Sequence, residues 1–309
     1  MPDTMADSQG MEMGQVTEMP LILGGHSFIS QLGNDPPVSD RDQHRIVESC
    51  LDHGIRWFDT TYQPERIALG KAFQAIGRRN EATTIAWNFF TDFPADNQPT
   101  GPECYQPYHI QMILEQLHID YVDCLVLIPS NDPKEDRPQV ELLVDWRRKG
   151  YVRFLGLWVQ DAQTIERFRN DNPFRFAVRP LNITTTEAAP IFAACKRAGW
   201  ETVATSPFRR GWELDKMIAA AWARGYGDVE SLRPIVADLM LRFSLFQRDV
   251  DRVIIGMRKV EWIKRNVESV SRGPLTAEEH RRLQNLRALM IEKRRWWQRV
   301  HRFFCAPSK

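Results

Sequence analysis

"SDRDQHRIVESCLDHGIRWFDT", residues 39–60, is the stretch from which the fold is read. Its first part opens on a Ser/Asp cap, closes on Gly54 and puts Ile46, Cys50 and Leu51 on one face, the pattern of an amphipathic helix. Its second part, "IRWFDT" (55–60), is a short apolar run of strand length. The same rhythm spreads outward in both directions. Strand-like runs occur at "PLILGG" (20–25), "TTIAWNF" (83–89), "YVDCLVLI" (121–128) and "VRFLGLWV" (152–159). They continue at "FAVRPLNI" (176–183), "ETVATSPF" (201–208) and "DRVIIGM" (251–257). Helix-patterned segments stand between them, as at 108–119, 164–171 and 191–200. Strand and helix alternating in units of about 30 residues predict parallel βαβ units, and eight of them predict an α/β fold, a (β/α)8 TIM barrel. A doubly wound open sheet is the competitor, but no G-x-G-x-x-G follows the first run; "LILGGHSF" offers only a Gly pair.

The chain has 309 residues, 43% of them hydrophobic and 26% charged, ordinary for a globular protein with a buried core. The net charge of +1 gives no reason to expect nucleic acid or any strongly charged partner. That balance hides an asymmetry: residues 281–309 hold nine Lys or Arg and one acidic residue, Glu292, so the rest is net acidic. The five cysteines are scattered without metal-ligand spacing, which predicts reduced thiols, a cytoplasmic protein and no metal. Residues 1–18 carry acidic groups and no signal-peptide run, and are expected to be a disordered leader. No stretch approaches the ~20 apolar residues that cross a bilayer.

In a barrel of this kind, reactive groups sit at the carboxyl ends of the strands. That places Asp59, Asn88, Ile128, Trp158, Arg179, Ser206 and Gly256 around one mouth, a set with few groups able to move protons.

Five segments, in order, resemble the aldo-keto reductase superfamily over about residues 19–285. "GIRWFDTTYQPERIALGKAF" is similar to its G-x-x-x-F-D-T-A-x-x-Y-x-x-E-x-x-L-G-x-A-L signature. "LHIDYVDCLVLI" resembles its fourth strand, and "KGYVRFLGLWV" its G-K-V-R-x-I-G-V-S-N. "ACKRAGWETVATSPFRRG" and "DRVIIGMRKVEWIKRNV" resemble the segments around strands seven and eight. The resemblance implies NADPH or NADH lying across the mouth, hydride transfer to a carbonyl, and a proton site of Asp, Tyr, Lys and His. Tyr is there the general acid, with Lys tuning its acidity.

Carried over residue by residue, the catalytic candidates are Asp59 and Tyr62, although Tyr62 follows Asp59 by three positions where the family has five. Asn88 stands where the resemblance puts Lys, and Ile128 where it puts His; no lysine lies between Lys71 and Lys134, and no histidine between His118 and His280. Trp158 and Arg179 replace the groups that contact the nicotinamide, completing a pocket set of Asn88, Ile128, Trp158 and Arg179. A buried Asp59 without its Lys is expected to take Arg56 or Arg179 as counter-ion, or to have a raised pKa. The cofactor-binding candidates are Ser206, Phe208, Gly256, Arg258 and Asn266, where backbone N–H groups at a helix start and an arginine suit phosphate.

The expected function is NAD(P)H-dependent reduction of a small carbonyl substrate, with a degraded proton-transfer site and low or altered activity. A non-catalytic nucleotide- or ligand-binding pseudoenzyme and non-redox chemistry at the same mouth are the alternatives. Beyond the barrel, residues 286–309 are expected to form an amphipathic helix and tail. Leu286, Leu289, Met290, Trp297, Val300 and Phe304 make one stripe, interrupted by Lys293, with Arg287, Arg294, Arg295 and Arg302 mainly off it. Packing on the barrel is one reading; peripheral contact of 286–305 with a membrane or a protein partner, with Cys305 as a lipid acceptor, is the other.

Overall fold

The structure is a computed structural model that describes residues 18–29, 37–91, 101–130, 132–168 and 173–304, the last stretch as backbone alone beyond 291. Eight parallel strands close into a barrel: β1 (Leu21–Gly24), β2 (Trp57–Thr60), β3 (Thr83–Trp87), β4 (Val122–Leu127), β5 (Val152–Trp158), β6 (Phe174–Pro180), β7 (Glu201–Thr205) and β8 (Arg252–Ile255). β1 pairs with both β2 and β8, so no edge is left open. Seven of the predicted strand runs each contain one of these strands, and β6 overlaps the eighth, starting two residues before it.

Helices α1 (Asp40–Asp52), α2 (Gln63–Ile76), α3 (His109–Leu117), α4 (Pro133–Arg148), α5 (Ala162–Arg167) and α6 (Ala188–Arg197) cross between successive strands. The β7–β8 crossover holds two helices, α7 (Trp212–Trp222) and α8 (Val229–Leu245); α9 (Val260–Ser271) and α10 (Ala277–Phe304) follow β8. The caps follow the residue types. Ser39 Oγ accepts from Asp42 N at the start of α1, and Gly54, just past its end, has φ 78°.

Alternation along the strands sorts side chains into two cores. Ile22, Ile85, Cys124, Val126, Phe176, Val178, Val203 and Ile254 fill the barrel. Leu21, Leu23, Phe58, Leu125, Leu127 and Leu155 face outward under the helices, each burial worth roughly 1.5–3 kcal/mol. The same alternation decides what reaches the mouth. Asp59, Trp87 and Trp158 have inward parity, whereas Asn88 and Arg179 do not.

Residues 1–17 of the leader lie outside the described residues, while Glu18 accepts from Trp57 Nε1 (2.8 Å) and Arg252 Nη2 (2.6 Å) at the amino end of the barrel. The terminal helix begins at Ala277 rather than 286, because Thr276 and Glu279 form a reciprocal capping box (2.8 and 3.2 Å). Leu283 and Leu286 are buried, and Met290 half-buried, in a cluster with α7 and α8. The side chains of Trp297, Val300 and Phe304, and all of Cys305, lie outside the described residues. Among the described residues, no helix is long and apolar enough to cross a membrane.

Candidate active site

At the carboxyl ends of the strands lies a cavity of about 790 Å3. Asp59 ends the inward row of β2 at its base and is 5% exposed. Its partner is an indole: Trp87 Nε1 donates to Asp59 Oδ1 at 2.5 Å. Burial pushes the Asp59 carboxyl up to about 7, and the nearby Glu65 adds to this, while Trp87 and His26 hold it down.

Neither arginine expected beside Asp59 is there. Arg56 donates to Glu81 Oε2 at 2.6 Å, and its position precedes β2. Arg179 has outward parity on β6 and donates to the carbonyls of Val159 and Gln160, so it does not line the cavity. Asn88 is likewise corrected. One step beyond the inward-facing Trp87, it donates from Nδ2 to Glu103 O (2.9 Å) and accepts from Ile128 N (3.3 Å), pinning two loops outside the cavity. The residue facing Asp59 from β3 is therefore Trp87. Ile128 and Trp158 do line the cavity, and Trp158 meets Trp87 edge to face at 5.8 Å.

Tyr62 caps α2 and lines the cavity at 2% exposure, its ring 5.0 Å from that of Phe89 and 5.8 Å from that of His26. Burial raises its phenol above the ordinary range, the Glu65 charge acts in the same direction, and Arg210 opposes both. Glu65, in the first turn of α2, is fully buried. Its Oε2 accepts from Thr61 N (2.7 Å), and its Oε1 stands 2.9 Å from His26 Nδ1. A Cβ on Gly25 would collide with this carboxylate and lie 2.8 Å from Asp59 O, so the turn after β1 can close over it only with glycine.

The opposite side of the cavity is basic and polar. Ser206 and Phe208 line it from the β7–α7 loop, and Gly256, Arg258 and Asn266 from β8 and α9. Ser206, Arg209 and Arg210 all have left-handed φ (58°, 47° and 59°), and Gly211 follows at 86°. Three non-glycine residues so placed in one short loop cost about 1 kcal/mol each, a concentration of strain found at functional loops. Met257 N donates to Ser27 Oγ (2.8 Å), which donates to Gly24 O (2.7 Å), tying the β8 loop to the β1 turn. Arg258 donates to Ile29 O.

His26, Trp87 and Arg210 also line the cavity and were not among the sequence candidates. The signal for His26 was in hand, since it follows the Gly pair of the first strand run, the one strand end left out of the expected mouth. Trp87 was hidden by a one-residue register shift.

Residues 20–288 match the pattern described as the aldo/keto reductase family. No curated protein matches the chain. Among solved structures, it is similar to an aldo-keto reductase from Bacillus halodurans in its holo form: TM-score 0.64, 20% identity, 86% of this chain and 91% of that one. It is also similar to an aldo/keto reductase from Klebsiella pneumoniae in complex with NADP and acetate, with TM-score 0.63, 17% identity and coverage of 86% and 90%. A Klebsiella pneumoniae aldo-keto reductase in complex with NADPH gives the same four values. At these identities the structural likeness speaks for the fold alone. The match over nearly the whole barrel carries the assignment: the chain belongs to the aldo/keto reductase family.

Proposed function

We propose that this protein binds a nicotinamide dinucleotide in the cavity and is an oxidoreductase that reduces a small carbonyl substrate slowly. One observation carries the reading: a single cavity of about 790 Å3 joins a basic, polar rim to a floor holding a buried carboxylate and a buried phenol. The rim fits a phosphate-bearing nucleotide. Gly256 lines it just past the end of β8, the strained β7–α7 loop leads into a helix start, and Arg258 and Asn266 add a cation and an amide. The Klebsiella pneumoniae relatives were solved with NADP or NADPH, which supports the same ligand class here. The floor fits less closely, because Trp158 and Trp87 offer single indole donors where an amide-rich contact and a lysine are expected.

A reduced nicotinamide supplies hydride to a carbonyl carbon. The chain must hold the carbonyl, exclude water and bring a proton to its oxygen. Tyr62 keeps its proton at neutral pH, and burial makes it a poor donor, so turnover resting on Tyr62 alone is slow. Trp87 in the place facing Asp59 also supports the second reading, in which the dinucleotide is bound and not turned over.

Tryptophan fluorescence tests both. Four of the ten tryptophans, Trp87, Trp158, Trp212 and Trp262, line the cavity, so micromolar NADPH is expected to quench emission. Quenching with measurable oxidation of NADPH by aldehydes supports the reductase. Quenching with no turnover supports the binding protein, and no quenching with NADPH or NADH overturns both.

A further inference from the structure

The Glu65–His26 pair is built into the site more firmly than a chance surface contact. Glu65 is fully buried, and three elements close on it: the first turn of α2, the Thr61 amide after β2 and the glycine turn after β1. His26 leaves that turn with Nδ1 on Glu65 at 2.9 Å and its side chain 23% exposed, lining the same cavity as Asp59 and Tyr62. A carboxylate on Nδ1 fixes ring orientation and tautomer and stabilises imidazolium, the arrangement used wherever histidine moves protons.

We propose that His26 is the proton donor of this site, with Glu65 as the residue that positions it. The inference rests on the reductase reading above. Hydride supplied by the reduced nicotinamide adds to the carbonyl carbon, and the π pair moves to oxygen. The oxygen takes the proton of His26 Nε2, the ring nitrogen on the side away from Glu65. The substrate is reduced to the alcohol, the nicotinamide is oxidised, His26 is left as neutral imidazole, and water returns its proton.

The electrostatics agree with the geometry. Burial alone pushes the His26 imidazolium towards losing its proton, but the Glu65 charge and hydrogen bond more than offset this, and the net shift is upward. Of the other charged groups facing the ring, Arg210 from the β7–α7 loop opposes the proton and Asp59 from β2 favours it. The two other groups on the floor are placed differently. Tyr62 is a weaker acid, raised above its ordinary value near ~10, and Asp59 is turned to the indole of Trp87 through Oδ1 at 2.5 Å.

Three measurements on the full chain test this. First, NADPH binding by tryptophan quenching should be unchanged within about twofold in His26→Gln. Second, the rate of NADPH oxidation at saturating aldehyde should fall by about 10²-fold or more in His26→Gln, the usual weight of general acid catalysis. The wild-type rate should decline as pH rises through the raised imidazole value, and the residual rate of the variant should lack that limb. Third, the NMR titration of the His26 ring, assigned by its disappearance in His26→Gln, should lie above the ordinary ~6.5 and move down in Glu65→Gln. A His26→Gln protein that keeps its rate and alkaline limb while Tyr62→Phe loses activity would overturn the proposal and leave the reductase reading standing. An imidazole that titrates identically with and without the Glu65 charge would also overturn it. Absence of NADPH quenching in the wild type would instead remove the reductase reading, and the proton donor with it.

Discussion

Across the mouth of the barrel, the β7–β8 side presents Ser206, Gly256, Arg258 and Asn266, while the β1–β3 side sets Asp59 against the indole of Trp87 and His26 against Glu65. On the reading proposed above, the first side would serve phosphate with a helix start and a cation. The second holds a buried carboxylate and a buried phenol, with an indole as the partner of the carboxylate. The difference teaches that, in the proposed reading, binding and proton transfer would rest on separate strands of the barrel and could diverge independently. Each side should therefore fail separately when altered.

The largest effect is expected on the proton side. In the folded chain Asp59 titrates at about 7, against an ordinary value near ~3.9. Between those values the folded state holds a proton that the unfolded state has lost, so stability falls as pH rises through the window and levels off above it. Asp59→Asn removes that cost and can still accept from Trp87. It should raise unfolding free energy by up to about 4 kcal/mol at pH 8 and by nothing below pH 4. Denaturant melts at the two pH values measure this, and an equal gain at both would mean that the carboxyl is not buried as charge. Cofactor affinity should not change.

Gly25→Ala comes next. Its Cβ would press on Glu65 and on the Asp59 carbonyl, so a loss of about 1–3 kcal/mol is expected by thermal melting, together with a disturbed His26 titration. A neutral result would show that the turn yields. On the other side, Arg258→Ala should weaken NADPH by about tenfold, or ~1.4 kcal/mol, and NADH less if the guanidinium faces the extra phosphate. Titration with both nucleotides decides this, and equal loss would refer Arg258 to the Ile29 carbonyl alone. The smallest effect is expected at the end of α10, which packs on α7 and α8. Truncation after Ala288 keeps Leu283 and Leu286 and removes the half-buried Met290, costing about 1 kcal/mol or less and sparing NADPH binding. Leu286→Ala should cost more, about 2 kcal/mol or above. Vesicles of anionic lipid, with and without residues 289–309, then test whether the basic segment has a surface role.

Much of the fold was legible in local pattern, because a buried parallel strand must be a short apolar run and its crossover helix must carry one apolar face. Asp59, Ile128 and Trp158 could be placed at the mouth for that reason, and Tyr62 through the family resemblance. Asn88 and Arg179 could not, since a shift of one residue reverses the face of a strand and nothing in "AWNFF" or "AVRPL" states where the strand ends. Only the closed barrel fixes that parity, by bringing β3 against β2 so that Trp87, not Asn88, meets Asp59. The sequence by itself determined the barrel and the absence of lysine and histidine from the expected positions. Tertiary structure decided what took their place, because His26 and Glu65 lie far apart along the chain and become a pair only where the turn after β1 closes over the first turn of α2.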